Sequence, residues 1–328
     1  MPDRDRTEQL NQAIGSALRG EAPAITGRPL GADPELKSLA RIVKSLCDLP
    51  GQNFRAALKK ELLRRAAMTI STTVSTSAAV GFRTVTPFII HAQATEMIEF
   101  IQKTFRAEEL ERKTGETIGF YSKVRIGDSL IMIGGGTAAR WGNLPSALHV
   151  YVDDCDAVYR RALDAGAVTL MGDLGQPADR PYGERSAFVQ DAFGNYWYIA
   201  TRLASSAERD TGAVLPYLHP ENARQQIDFL RRAFGAEEIT VAEAGGRIMH
   251  GALRIGDAVV ELGEPEDRAG IPTNGMFLFV EDVDGVYARA LEAGATSYRP
   301  PEDQPYGMRS AIVRDPGGYL WWPARWIR

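Results

Sequence analysis

A strand pattern followed by an amphipathic helix and three further strand patterns recurs four times along the chain. In the clearest copy, alternating apolar residues at 147–151 precede a helical pattern that ends at Gly166. The four copies cover about 85–134, 146–201, 214–263 and 275–327. We therefore predict an α+β fold built from four βαβββ modules.

Alternate modules resemble each other most. The first aligns with the third at an offset of 129, which superposes RIGD at 125–128 on RIGD at 254–257. The second aligns with the fourth through YGERSA at 182–187 and YGMRSA at 306–311, each followed by Asp, Gly and an aromatic strand. Asp opens a tight turn by bonding its own backbone, and Gly closes it with a positive φ. Each aromatic strand is therefore predicted to complete a hairpin.

The modules suggest a domain plan for the whole chain. Residues 1–70 show a narrow apolar stripe at helical spacing, which predicts a helical N-terminal extension. It either packs on the main body or a second copy, or binds a dedicated partner. Ser, Thr, Ala and Gly dominate 71–84, which predicts a linker. Two tandem domains then follow, at 85–205 and 212–328.

Composition limits the classes of function. The chain has 328 residues, 44% hydrophobic and 24% charged, which is typical of a soluble globular protein of about two domains. A net charge of −4 predicts neither a nucleic-acid nor a membrane partner. Two cysteines indicate no disulfide framework, and a polar N-terminus without a signal pattern favours the cytoplasm. A homodimer is left open beside a monomer.

Several motifs together resemble the vicinal oxygen chelate superfamily, which includes glyoxalase I, bleomycin-resistance proteins and extradiol dioxygenases. They are RIGD in both copies, HVYVDD at 149–154, YGER at 182–185 and DAFGNYWYIAT at 191–201. Within the superfamily, the chain is most similar to PhnB-like proteins. The resemblance runs from about residue 85 to the end. It implies that the two modules of each domain form one curved sheet around a cleft.

The same resemblance bears on a metal site. Metal-dependent members hold a divalent ion with His and Glu side chains on the first and fourth strands of each module. Carried onto this chain, these positions fall on Thr86, Met132, Ala147 and Tyr198 in the first domain, and on Leu215, Glu261, Gly275 and Trp322 in the second. Only Glu261 is a suitable ligand, and one carboxylate does not make a site. We expect no metal and no cofactor, and no catalytic residue is assigned.

Aromatic residues on the cleft-facing side of the strands suggest a binder of small planar or apolar molecules. His149 either lines the first cleft or is a satisfied core histidine, and Arg185 either pairs with an acid or faces an anionic ligand. The other functional classes are a metal-dependent lyase, isomerase or dioxygenase, and a structural or regulatory module with filled clefts. The candidate ligand-binding residues are Thr86, Phe88, Met132, His149, Tyr151, Arg185, Tyr196, Tyr198, Tyr217, Glu261, Phe277 and Trp322.

Overall fold

The computed structural model describes residues 81–115, 119–135, 142–203, 211–266 and 270–327. The N-terminal extension predicted at 1–70 and most of the linker predicted at 71–84 lie outside these ranges. The described residues form seventeen strands, four α-helices and one short 3₁₀ helix. Among them, no helix has the length and apolar character needed to cross a membrane.

Four βαβββ modules follow one another, which confirms the predicted fold class. The first comprises β1 (Val85–Ile90), α1 (Ala94–Phe105), β2 (Glu108–Gly115), β3 (Gly119–Ile126) and β4 (Ser129–Gly135). The second comprises β5 (Ala147–Tyr151), α2 (Cys155–Asp164), β6 (Val168–Thr169), β7 (Ala178–Arg180), β8 (Glu184–Gln190) and β9 (Tyr196–Arg202), with its edge strand split into β6 and β7.

The second half of the chain repeats this order. The third module comprises β10 (Val214–Leu218), α3 (Ala223–Phe234), β11 (Glu237–Ala244), β12 (Arg247–Ile255) and β13 (Ala258–Leu262). The fourth comprises β14 (Gly275–Phe279), α4 (Val283–Glu292), β15 (Thr296–Gln304), β16 (Met308–Arg314) and β17 (Leu320–Trp326). Asp154 and Asp282 cap α2 and α4 by accepting bonds from backbone N–H groups three residues later.

The first module shares a sheet with the fourth and the second with the third, so the expectation that the two modules of each predicted domain share a sheet was wrong. An eight-stranded sheet has the order β15-β16-β17-β14-β1-β4-β3-β2, which pairs the first module with the fourth. A nine-stranded sheet contains β11-β12-β13-β10-β5-β9-β8-β6, with β7 beside β8, and pairs the second module with the third. The first strands of the two modules meet antiparallel in each sheet.

The hydrophobic cores combine the modules differently from the sheets. One buried cluster lies under α1 and α2 and includes Met97, Ile101 and Trp197. Another lies under α3 and α4 and includes Phe229, Leu230 and Trp321. Each half of the chain therefore packs its helices on a core drawn mostly from that half. Both sheets nevertheless run from one half into the other.

The two RIGD motifs join the halves reciprocally. Asp128 Oδ1 accepts a bond of 2.7 Å from the backbone N–H of Ala213, just before β10. Asp257 Oδ1 accepts an equivalent bond of 2.7 Å from the backbone N–H of Thr84, just before β1. The repeat of this motif thus has a structural cause, because each copy fixes the start of a strand in the other half.

A buried aspartate explains the spacing in the repeated hairpins. Asp191 Oδ2 accepts a bond of 2.9 Å from the indole N–H of Trp197. Asp315 Oδ2 accepts one of 2.8 Å from that of Trp321, and another of 2.7 Å from the Gln226 amide. Burial raises the pKa of Asp315 to about 6 despite these donors. Each turn is therefore fixed to its own aromatic strand six residues later.

Replacing Asp315 by Ala is expected to lower the free energy of unfolding by about 2–4 kcal/mol. The change leaves the buried Trp321 and Gln226 donors unpaired, and unsatisfied buried groups are costly. Thermal or urea unfolding measures the effect. As a control, Asp303→Ala removes an acid that is 61% exposed, and should cost at most about 1 kcal/mol. Equal losses in the two variants would contradict this role of Asp315.

Candidate functional site

The nine-stranded sheet carries a buried acid–base pair at its centre. His149 lies on β5 and Glu261 on β13, so the second and third modules each contribute one residue. His149 Nδ1 lies 2.7 Å from Glu261 Oε2. The two residues are 7% and 5% exposed. A contact this short between buried groups requires a proton between them and fixes the imidazole ring.

A second carboxylate approaches the other side of the imidazole. Glu184 Oε2, on β8, lies 3.6 Å from His149 Nε2, which is longer than a hydrogen bond. The other oxygen of Glu184 accepts a bond of 2.8 Å from the Tyr151 hydroxyl. Arg202 covers the Tyr151 ring, with its Cζ atom 3.6 Å from the ring centroid. The imidazole therefore lies between two acids, only one of which bonds it directly.

Aromatic rings extend from this pair across the sheet. Tyr198 is the β9 neighbour of His149 in the parallel register, and Tyr217 is the β10 neighbour of Glu261. The two tyrosine rings are 5.0 Å apart, and Phe188 meets Tyr198 edge to face at 5.4 Å. The Tyr198 hydroxyl shares a hydrogen bond of 2.7 Å with His219 Nε2. These four side chains, Phe188, Tyr198, Tyr217 and His219, form what we call the aromatic wall. All four are partly exposed.

The corresponding face of the eight-stranded sheet is filled by apolar side chains. Phe88 meets Phe277 at 5.1 Å and Trp322 at 5.2 Å, with Met132 in the same buried cluster. None of these four is more than 9% exposed. This sheet therefore has packed side chains where the other has partly exposed polar and aromatic groups.

The repeat relates the two faces residue by residue. His149 corresponds to Phe277 at an offset of 128, and Glu261 to Met132 at an offset of 129. Polar groups of the nine-stranded sheet are thus replaced by apolar ones. The remaining correspondences are Glu184 with Met308, Tyr198 with Trp322, Arg202 with Trp326, Tyr217 with Phe88, His219 with Ile90 and His250 with Tyr121.

The structure divides the candidate residues between these faces. Those of the eight-stranded sheet are Thr86, Phe88, Met132, Phe277 and Trp322, and those at the polar face are His149, Tyr151, Tyr196, Tyr198, Tyr217 and Glu261. Thr86 is buried and donates its hydroxyl proton to the carbonyl oxygen of Arg83. Thr86 and Met132 were therefore wrongly placed in one cleft with Ala147 and Tyr198. Each sheet contains the strands of one module from each of the two predicted domains.

Arg185 belongs to neither face. Its guanidinium pairs with Asp156 at the start of α2 and, at 2.9 Å, with Asp179 on β7. Successive side chains of a strand point to opposite sides, so Arg185 lies on the helix side of β8 while Glu184 lies on the cleft side. Arg309 repeats this arrangement with Asp284 and Asp303. These ion pairs favour the alternative in which Arg185 pairs with acidic residues over the one in which it faces an anionic ligand.

Sequence reasoning missed Glu184, Phe188 and Arg202 as members of the polar face. The repeat itself carried a signal, since Glu184 and Arg202 align with the apolar Met308 and Trp326. His219 also belongs to this face, where it bonds Tyr198, and the His250 ring lies 6.1 Å from the Tyr217 ring. His91 lies elsewhere and accepts a bond from the backbone N–H of Gln93 beside α1.

Electrostatics at the pair favour its charged form. Burial lowers the pKa of His149, but the carboxylates of Glu261 and Glu184 raise it, and the net direction is upward. Burial raises the pKa of Glu261, while the imidazolium lowers it, and the net direction is downward. Burial also raises the pKa of Tyr198 and Tyr217, so both phenols stay neutral near pH 7. We therefore describe the pair as imidazolium and carboxylate.

This set of side chains does not fit a divalent ion. The first-strand positions of this sheet hold Ala147 and Leu215, which have no ligating atoms, and the fourth-strand positions hold Tyr198 and Glu261. His149 and Tyr217 are the register neighbours of Tyr198 and Glu261. Two of these are neutral phenols, and the imidazole nitrogen nearest Glu261 carries a proton. Within the described ranges, no three His, Cys, Asp or Glu side chains form a group that could hold a metal ion.

The pKa of His149 is expected to lie above 6.5, and Glu261→Gln is expected to bring it below that value, because burial then dominates. A raised histidine pKa contributes stability below pH 6.5 that is lost as pH rises through the folded value. The lowered pKa of Glu261 contributes stability above pH 4.5 that is lost on acidification. The pair thus contributes fully between pH 4.5 and 6.5. Imidazole ¹⁵N chemical shifts against pH give the measurement.

His91 is an internal control in the same spectra. Burial lowers its pKa, and Asp191 and Glu96 are its nearby acids. Glu261→Gln should leave its titration unchanged. A His149 titration that does not move in this variant would show that Glu261 does not hold the imidazolium.

The fold and the site define a class, in which βαβββ modules pair through their first strands and carry polar and aromatic side chains at the junction. The chain belongs to the Glyoxalase/Bleomycin resistance protein/Dioxygenase superfamily, whose family model matches residues 220–322. An uncharacterised protein of Mycobacterium tuberculosis is 37% identical over 122 residues, which are 33% of this chain and 71% of that protein. A putative glyoxylase of the same species, CFP32, is 25% identical over 179 residues, covering 52% of this chain and 66% of the relative.

Solved structures share the fold. Glyoxalase I from Zea mays aligns with a TM-score of 0.57 at 14% identity, covering 73% of this chain and 92% of its own. A putative dioxygenase from Bacillus subtilis aligns with a TM-score of 0.50 at 16% identity, covering 73% and 83%. At such low identity these likenesses support the architecture and carry no chemistry to this chain.

Proposed function

We propose that this protein binds a small planar or apolar molecule, without a metal, in the cleft of the nine-stranded sheet. The observation that carries the proposal is the contrast between the faces. One combines a buried His149–Glu261 pair with a partly exposed aromatic wall, and the other is filled. Ligand sites combine apolar and aromatic surface with a few fixed polar groups. We further assign the chain to the PhnB-like group and expect it in the cytoplasm.

A thermal-shift panel tests this function. Planar aromatic compounds are added to the full-length protein, purified without a His tag. A ligand in excess over its Kd raises the melting temperature, and a concentration 100 times Kd contributes about 2.7 kcal/mol. The expected result is a concentration-dependent rise that is absent in His149→Phe/Glu261→Met. This double variant carries the residues of the filled face.

The same preparation tests the metal-dependent alternative. Elemental analysis and addition of Mn, Fe, Ni or Zn should give no stoichiometric metal and no metal-dependent rise. Near-stoichiometric metal lost in the double variant would overturn metal independence. No response to any compound or metal would favour a structural or regulatory module with filled clefts.

A further inference from the structure

An unused donor and an unused acceptor lie near each other on the polar face of the nine-stranded sheet. His149 Nδ1 is engaged by Glu261, which leaves Nε2–H of the imidazolium on the side of Glu184. Glu184 Oε1 is engaged by the Tyr151 hydroxyl, which leaves Oε2. These remaining atoms are 3.6 Å apart. That distance is too long for a direct bond, and an oxygen about 2.8 Å from each would bond both.

Few groups satisfy both atoms at once. A ligand carboxylate accepts from His149 but meets the like charge of Glu184, and a ligand ammonium donates to Glu184 but meets the imidazolium. An ether oxygen accepts from His149 and has no proton for Glu184. A hydroxyl does both, because its oxygen accepts while its proton is donated. The pair of atoms therefore selects a neutral hydroxyl.

The surroundings decide what carries the hydroxyl. Tyr198 lies beside His149 in the strand register, and the aromatic wall continues from there to Phe188 and Tyr217. Flat rings stack on or meet such a surface edge to face. We propose that the ligand is a hydroxylated planar aromatic compound whose hydroxyl bridges His149 Nε2 and Glu184 Oε2. This inference rests on the proposed function and names the ligand class for the same cleft.

Matched naphthalenes test the hydroxyl. Calorimetric titration of the full-length protein at pH 7 uses 2-naphthol, 2-methoxynaphthalene, 2-naphthoate and naphthalene. We expect 2-naphthol to bind at least about tenfold more tightly than 2-methoxynaphthalene, since hydrogen bonds to charged groups are stronger than those between neutral groups. We expect 2-naphthoate to bind more weakly than 2-naphthol.

Variants locate the effect. Glu184→Met inserts the side chain of the filled face and should abolish the preference of the cleft for 2-naphthol over 2-methoxynaphthalene. Glu184→Gln keeps the shape and should reduce the preference. Asp179→Asn removes an acid on the helix side of the sheet, paired with Arg185, and should leave the preference unchanged.

Equal binding of the hydroxyl and methoxy compounds, or a preference that persists in Glu184→Met, would overturn the hydroxyl bridge alone. Binding of none of the four compounds would overturn the proposed function together with it.

Discussion

Glu261→Met is expected to lower the free energy of unfolding by about 2–4 kcal/mol, although it replaces a buried charge with an apolar side chain. The change leaves His149 buried without its partner at 2.7 Å, and the remaining acid is 3.6 Å away. Removing one member of a buried pair is costly because the other is left uncompensated. Urea unfolding measures the loss.

The double variant His149→Phe/Glu261→Met is expected to recover at least half of that loss. It places the Phe277 and Met132 side chains of the filled face at the equivalent positions, where the repeat already accommodates them. Replacing a buried ion pair by well-packed apolar residues is often neutral or stabilising. As a control, Glu302→Met alters an acid that is 55% exposed and should change stability by at most about 0.5 kcal/mol. A double variant no more stable than Glu261→Met would show that the pair is not coupled.

A chain cut between the halves is expected to remain a single particle. A protease site is introduced at 204–210, and the cleaved protein is examined by size-exclusion chromatography and light scattering. The halves should elute together, because β1 pairs with β14 and β5 with β10 across them. Asp128 and Asp257 add reciprocal bonds between the halves. Ligand binding should also remain after cleavage, because both halves contribute residues to the cleft.

Two independent domains would behave differently after the cut. Fragments that separate without denaturant, each keeping its own melting transition, would contradict the sheets described here. The uncut protein with the same inserted site is the control for the insertion itself.

Periodicity alone defined the modules, and their bounds agree closely with the structure. The first was predicted at 85–134 and runs from Val85 to Gly135. Alternation identifies a strand and its buried face, but it does not identify the neighbouring strand. The antiparallel contacts of β1 with β14 and β5 with β10 join residues far apart in sequence. The local sequence pattern therefore could not predict which modules pair in a sheet.

The candidate site was likewise predictable from the sequence only in part. His149 and Glu261 were each selected from the sequence, but were assigned to different clefts. Their contact depends on the pairing of modules two and three. Glu184 was missed because the YGER motif directed attention to Arg185, whose side chain lies on the other side of β8. One sequence signal identifies the whole polar face. It is the set of positions at which one repeat has a polar residue and the aligned repeat has an apolar one.

Ligand binding by two matched pairs of variants tests the central claim most directly. His149→Phe/Glu261→Met alters the nine-stranded sheet, and Phe277→Leu/Met132→Leu alters the equivalent positions of the eight-stranded sheet. Dissociation constants for a planar aromatic ligand are measured by calorimetry on both folded variants and the unaltered chain. We predict that binding is lost in the first variant and retained in the second. Binding retained in the first variant and lost in the second would contradict a ligand site built on His149 and Glu261.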